Sequence, residues 1–379
     1  MMKTRDKYIY NYNNKKNNII AIGLMSGTSM DGVDIALVKT DGFKNFEIKN
    51  FQTFYYSDEI RKLLQRSIKL KVNIRNLSDV ITNFHINSVK LLIKKHGLSF
   101  QNIDVIGFHG QTIMHHPSEG WTWQLGNGQE MSNELNIPVI SNFRYRDVCL
   151  GGEGAPLVAI WHKTLASSII NQRYPCIFLN IGGISNITYL KDCDNVLYCF
   201  DIGPGNGPID HISQQYFSKT FDYDGNISLS GNINYSVLKD ILKHKWFIKK
   251  PPKSIDVNEF NKFIFSCLKG ISAKDKLATL SKLVALSLKR SINFLNLKPK
   301  CIYVSGGGRH NKAVMYGLKE EFGDIVHKME INKWNGDAIE AQAFAYLAVR
   351  SFKNLPLTIN NLTGLSRDVS GGVLSLPIT

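Results

Sequence analysis

The stretch IIAIGLMSGTSMDGVDIALVKT (19–40) decides how this chain is read. IIAIGLM (19–25) is a short apolar run with β-branched residues, SGTSMDG (26–32) is a glycine, serine and threonine turn, and VDIALVKT (33–40) alternates. The expected unit is strand, tight turn, strand. At Pro175 the pattern restarts: CIFLNIGGISNITYL (176–190) is again strand, Gly-rich turn, strand, and Gly183 stands 156 positions after Gly27. That recurrence predicts an internal duplication.

Between the two copies, helical periodicity runs from about 57 to 97, and IDVIGF (103–108) reads as a buried strand ending in His109-Gly110-Gln111-Thr112. WTWQLGNG (121–128) and IPVISNF (137–143) read as strand edges. After the second copy, LYCFDIGPGNGPID (197–210) reads as a strand ending in a tight turn. Residues 225–262 read as a polar excursion from the core, and helices are expected over 277–295 and 336–352, the second capped by Asp337. CIYVSGGGRHN (301–311) reads as a strand, a glycine triplet and a helix start. Interleaved strands and helices with glycine turns at strand ends imply an α/β protein. The expected division is a polar tail (1–18), a first lobe (19–174, with about 350–379) and a second lobe (175–349).

Composition narrows the function classes. A net charge of +15 over 379 residues invites a nucleic-acid reading. However, 35 of the 46 basic residues are Lys, and they are scattered. Nucleic-acid surfaces concentrate Arg with interleaved aromatics, so no nucleic-acid partner is expected. The densest patch, KHKWFIKKPPK (243–253), reads as a solvated loop. No run reaches the ~20 apolar residues of a membrane span, and the N-terminus lacks the apolar segment of a secretory signal. Six cysteines without metal-ligand spacing read as reduced thiols. A cytoplasmic protein without membrane partners is expected, and a homodimer is left open.

The glycine turns can hold phosphate, because Gly lets a ligand approach several N–H donors. In the first turn these residues are Ser26, Gly27, Thr28, Ser29 and Gly32, with Asp31 and Asp34 placed to face a phosphate-bound Mg²⁺ through water. Each could equally be a plain hairpin. NIGGISN (180–186), with Gly182 and Gly183, and the Gly306-Gly307-Gly308 triplet strengthen the phosphate reading. No direct protein ligation of metal is expected. Asp201 precedes Gly203-Pro204-Gly205-Asn206 and suits general-base work or an Asx turn. Glu340 lies in the first turn of an apolar helix. His109 is a substrate contact or a structural histidine, and Arg144 with Asp147 is a site for a carboxylate or sugar hydroxyls, or a local ion pair.

Taken in order, GLMSGTSMDGVDIAL (23–37), GFHGQT (107–112), FRYRD (143–147) with GGEGAPLV (151–158), LNIGGISNIT (179–188), FDIGPGN (200–206), SGGGRHN (305–311) and GDAIEAQAFAYLA (336–348) resemble the anhydro-N-acetylmuramic acid kinase family. The resemblance implies a two-lobed actin/hexokinase-like fold built from duplicated ribonuclease-H-like lobes, with ATP in the interlobe cleft. It implies a cytoplasmic kinase that uses ATP and Mg²⁺. The reaction would open the 1,6-anhydro ring of its small-molecule sugar and phosphorylate O6, in peptidoglycan recycling. By position, Gly27, Thr28, Ser29, Met30, Asp31, Gly32, Val33 and Asp34 match its ATP-binding turn, and Asp201 its catalytic aspartate. Glu340 matches a position near the substrate, with Gly205 and Asn206 also on the substrate side. The alternatives are another sugar kinase of this fold or a non-catalytic relative that binds the sugar and ATP. The sequence departs from the family at 253–258, where Lys-Ser-Thr-Gly-Arg-Glu is replaced by Lys253-Ser254-Ile255-Asp256-Val257-Asn258. It also carries Asn142 and Ile202 where the family has Asp and Thr.

Overall fold

The computed structural model describes residues 18–27, 30–67, 71–169, 171–255, 257–359 and 361–378. The expected polar tail, apart from Asn18, and Thr28, Ser29 and Asp256 lie outside the described residues. The chain forms two compact units, one running to Ser168 and resuming at Ala338, the other spanning Ile169–Asp337.

In the first unit, β1 (Ile19–Ser26), β2 (Gly32–Thr40) and β3 (Phe46–Tyr55) form an antiparallel meander. β4 (Val105–His116) lies parallel to β1 on its other side, β6 (Val139–Ser141) lies parallel to β4, and β5 (Trp121–Leu125) pairs with the far half of β4. The short strand Val373–Ser375 closes the edge against β6. β1 is buried along most of its length, which is why it reads as an unbroken apolar run rather than an alternating one.

The helix Ile339–Phe352 covers this sheet, packing on β1, β2 and β4. It therefore belongs to the first unit, and the boundary falls at Ala338 rather than at 349. Glycine makes the close contact feasible. A Cβ on Gly23 would lie 2.0 Å from the Ala341 carbonyl oxygen, and one on Gly107 2.2 Å from that of Phe344. Ala341, Ala345 and Ala348, all fully buried, supply the small residues opposite.

The second unit repeats the plan. β7 (Cys176–Ile181), β8 (Ile184–Leu190) and β9 (Val196–Pro204) form an antiparallel meander, and β10 (Cys301–Ser305) and β11 (Val326–Lys328) continue parallel from β7. Both sheets thus run third strand, second, first, fourth and then one more parallel strand, β6 in the first and β11 in the second, with the same directions; β5 is an addition to the first sheet outside this common order. This is the ribonuclease-H-like arrangement, and the duplication inferred from the two glycine turns holds at the level of topology.

Several local expectations change. Residues 225–262 are not an excursion. They include the helices Tyr235–Leu242 and Val257–Cys267, and Leu238, Ile241, Phe247 and Phe260 join the core of this unit. β4 runs on through His109 to His116, and β9 through Asp201 to Pro204. The glycine triplet does not open the next helix. It leads into a short 3₁₀ turn, and Asn311 caps Lys312–Phe322 by accepting from Ala313 and Val314 N–H. Asp337 is not a helix cap: its carboxylate forms a bidentate ion pair with the buried Arg309, which also binds Glu330. A helix at Gly128–Leu135 was not foreseen; Asn127 caps it.

Candidate active site

The first glycine turn is fastened from beneath. Ser26 is buried, and its hydroxyl lies 3.0 Å from both the Tyr56 hydroxyl and His85 Nε2. His85 Nδ1 sits 2.7 Å from the Ile81 carbonyl, so Nδ1 carries the proton and Nε2 accepts from Ser26. Burial pushes His85 down to about 4, which keeps it neutral. Gln111, fully buried, donates to the Gly27 carbonyl at 3.0 Å. The turn closes with Met30 N–H donating to Gly27 and Met30 at φ +54°, while Tyr56 N–H donates to the Asp31 carbonyl. Asp34 accepts from Thr53 Oγ1 across the β2–β3 ladder at 2.5 Å. Val33 is a fully buried core residue. Ser26 was read as part of the phosphate turn, whereas Gln111, Tyr56 and His85 were not singled out; Gln111 stands in a quoted motif, but nothing local points to Tyr56 and His85.

A second group lies in the same unit. Between Leu24 and Ser26, β4 carries one extra residue opposite β1, at His109–Gly110, with Gly110 at φ +74°. Such bulges re-aim a side chain. His109 Nδ1–H donates to the Gly110 carbonyl, its Nε2 accepts from Arg144 Nε at 3.1 Å, and its ring lies 4.6 Å from that of Phe344. Burial and the Arg144 charge hold it neutral. Arg144 also donates to the Gly154 carbonyl, and burial lowers it to about 10, still a cation. Glu340, in the first turn of its helix, interacts electrostatically with Arg144, and burial raises its carboxyl. His109, Arg144 and Glu340 are thus brought together. Asp147 has a different part. One oxygen accepts from Gly154 N–H and the other from Thr363 Oγ1, each at 2.7 Å, so it shapes the 152–154 loop on which Arg144 also rests.

The second unit supplies a third group. Gly182 and Gly183 turn β7 into β8, and their carbonyls accept from Asn206, Gly205 and Gly207 N–H. A Cβ on Gly308 would meet Ile181, and one on Gly306 would meet Asn180. The turns at 182–183, 205–207 and 306–308 therefore pack against one another, with no room for a side chain at Gly205, Gly207, Gly306 or Gly308. Asn206 Oδ1 lies buried in this cluster without a hydrogen bond. The N–H groups of 205–207 are thus committed to the 182–183 carbonyls, and Asn206 Oδ1 is left as a buried acceptor of this cluster.

Asp201 stands at a second bulge. It pairs with Asn186, and the next pair is Ser185 with Gly203, leaving Ile202 as the extra residue. Asp201 Oδ2 accepts from Ile255 N–H at 3.0 Å, and its own N–H donates to the Lys253 carbonyl at 3.3 Å. Burial raises its carboxyl to about 6, against the opposing Ile255 hydrogen bond and the Lys253 charge. A carboxylate poised near neutral pH takes up and releases protons readily, which is what a general base needs. Among the described residues no group of three or more His, Cys, Asp or Glu is placed to hold a metal, and no helix is long and apolar enough to cross a membrane.

The family model for anhydro-N-acetylmuramic acid kinase matches residues 19–376. The anhydro-N-acetylmuramic acid kinase of Zymomonas mobilis is 39% identical over 366 residues, covering 93% of this chain and 99% of that protein. That of Paramagnetospirillum magneticum is 38% identical, covering 95% and 100%. Among solved structures, the activator of the 2-hydroxyisocaproyl-CoA dehydratase from Clostridium difficile aligns at 14% identity with a TM-score of 0.46, over 88% of this chain and 96% of that one. By its family match and by relatives aligned over nearly their whole length, the chain belongs to the anhydro-N-acetylmuramic acid kinase family.

Proposed function

We propose that the protein is an ATP-dependent kinase that opens the 1,6-anhydro bridge of anhydro-N-acetylmuramic acid and phosphorylates O6, giving N-acetylmuramic acid 6-phosphate and ADP. Membership of the family supports this, and Asp201 is the observation that carries the chemistry. Water attacks C1 and gives its proton to Asp201. The C1–O6 bond breaks, and O6 takes the γ-phosphoryl group from ATP. The departing oxygen is captured by phosphorus, so no separate strong acid is required, and the base acts as in an inverting glycosidase. Phosphoryl transfer then asks mainly for positioning and charge neutralisation.

Gly27, Thr28, Ser29, Met30, Asp31, Gly32, Val33 and Asp34, with Gly182, Gly183, Gly306, Gly307 and Gly308, are the proposed ATP-binding residues. Mg²⁺ would arrive on the ATP phosphates, with Asp31 as its proposed neighbour through water. His109, Arg144, Gly205, Asn206 and Glu340 are the proposed sugar-binding residues, Arg144 offering a guanidinium to a carboxylate. Asp147 acts through the loop it fastens. The departure at residue 255 does not argue for a non-catalytic relative, because the group that fixes Asp201 is the backbone N–H of Ile255, which any non-proline residue supplies.

The test is ADP release on mixing the protein, MgATP and the anhydro sugar, with phosphorus NMR to identify a 6-phosphate. Turnover of ordinary N-acetyl sugars but not of the anhydro sugar would overturn the proposal in favour of another sugar kinase.

A further inference from the structure

We propose that Lys253 is a positioning residue for this reaction, its buried ammonium and the backbone of its own segment together holding Asp201 in place and complementing its negative charge. The inference rests on Asp201 being the base. The Lys/Pro patch reads as solvated, yet Lys253 is 5% exposed. Its Nζ lies 3.3 Å from the Trp246 carbonyl oxygen and 3.4 Å from that of Phe247, at the end of the 3₁₀ turn Lys245–Ile248. It also stands 4.1 Å from the centre of the Trp246 ring and 5.5 Å from that of Phe200, the residue before Asp201. Two carbonyl dipoles and two aromatic faces all favour a cation there.

The same short segment grips Asp201 at both ends of the residue. The Lys253 carbonyl accepts from Asp201 N–H, and Ile255 N–H donates to Asp201 Oδ2. Anchoring the ammonium therefore anchors the clamp. The charged and titratable neighbours are few. Lys253 and Asp201 attract one another, Lys249 repels Lys253, and the Cys199 thiol two residues before Asp201 feels its charge. Asn186, opposite Asp201 on β8, is neutral. Burial lowers Lys253 to about 8, so it remains a cation where Asp201 titrates. An opposite charge favours the ionised carboxyl, so losing it must move proton uptake by Asp201 to higher pH.

The experiment is the pH dependence of kcat/KM, from roughly pH 5 to 9, for wild type, Lys253→Met, Lys253→Arg and Asp201→Asn. In K253M the acidic limb is expected to move up by about one unit, so that activity at pH 6 falls about fivefold further than activity at pH 8. K253R is expected to keep the limb where wild type has it. A K253M limb that stays in place, whatever the rate, overturns the inference, because packing alone would lower the rate without moving the limb. Should K253M not fold, K253R decides: an unmoved limb supports the charge role and a displaced one overturns it. An active D201N would instead overturn the reading of Asp201, so the two failures are told apart.

Discussion

Asp201 shows two opposed effects on one carboxyl. Burial favours the protonated form, while the Ile255 N–H and the Lys253 charge favour the ionised form, and burial wins by enough to raise the group to about 6. As the base must be ionised, the acidic limb of kcat/KM is expected near that value. Asp201→Asn should lower kcat by about 10²–10⁴-fold, the usual share of a general base. Calorimetric titration should find ATP affinity little changed; near-wild-type turnover would contradict the role. The same shift has a stability consequence. A native carboxyl raised above the unfolded value of about 3.9 binds protons more tightly in the folded state. Its contribution to stability therefore falls as pH rises from about 4 to about 6, and above that the ionised group is a standing cost. The thermal midpoint of D201N at neutral pH should equal or exceed that of wild type, and a clear fall would show that the carboxylate itself supports the fold. Asp201 was legible as a candidate because a lone acid before Gly-Pro-Gly-Asn is conspicuous. Lys253 was not, because a lysine beside two prolines and two other lysines looks solvated until its neighbours are known.

At the level of elements, the helix Ile339–Phe352 on the first sheet illustrates how small residues at two sequence-distant places act together. Gly23→Val would force a side chain to where the Ala341 carbonyl oxygen and the Ala345 nitrogen now lie. A loss of about 3 kcal/mol or more is expected from the urea midpoint, since backbone atoms cannot move aside as a flexible side chain can. Asp147→Ala removes the acceptor of the Gly154 N–H and the Thr363 hydroxyl within a buried loop. About 2–3 kcal/mol should be lost, with KM for the sugar rising more than kcat falls, because the loop also carries the Arg144 contact. An unchanged KM would detach Asp147 from substrate binding. The helices within 225–262 escaped the sequence reading for a compositional reason. Their apolar residues are spread among Asn, Lys and Ser, and only the packing shows that Leu238, Ile241, Phe247 and Phe260 share one core.

For the whole molecule, the second unit is continuous in sequence while the first is closed by the C-terminal helix. A fragment spanning 169–337 keeps all five strands of its sheet and is expected to unfold cooperatively by itself. A chain ending at 337 lacks the helix that covers the first sheet and should expose that sheet, read as strong binding of a hydrophobic dye; the opposite pattern would refute this division. The net charge of +15 proves a poor guide, since the proposed chemistry rests on glycine turns, a few buried ions and one carboxylate. Local chain chemistry was enough to establish the α/β class, the two strand–turn–strand units and the acid at 201, because periodicity and glycine turns are properties of neighbouring residues. Packing alone revealed which unit takes the last helix, that Asp337 pairs with Arg309 rather than capping that helix, and that Lys253 is buried beside Asp201. These depend on contacts between residues far apart in the chain, and burial, which sets the cost of a charge and the shift of a carboxyl, exists only once those contacts are made.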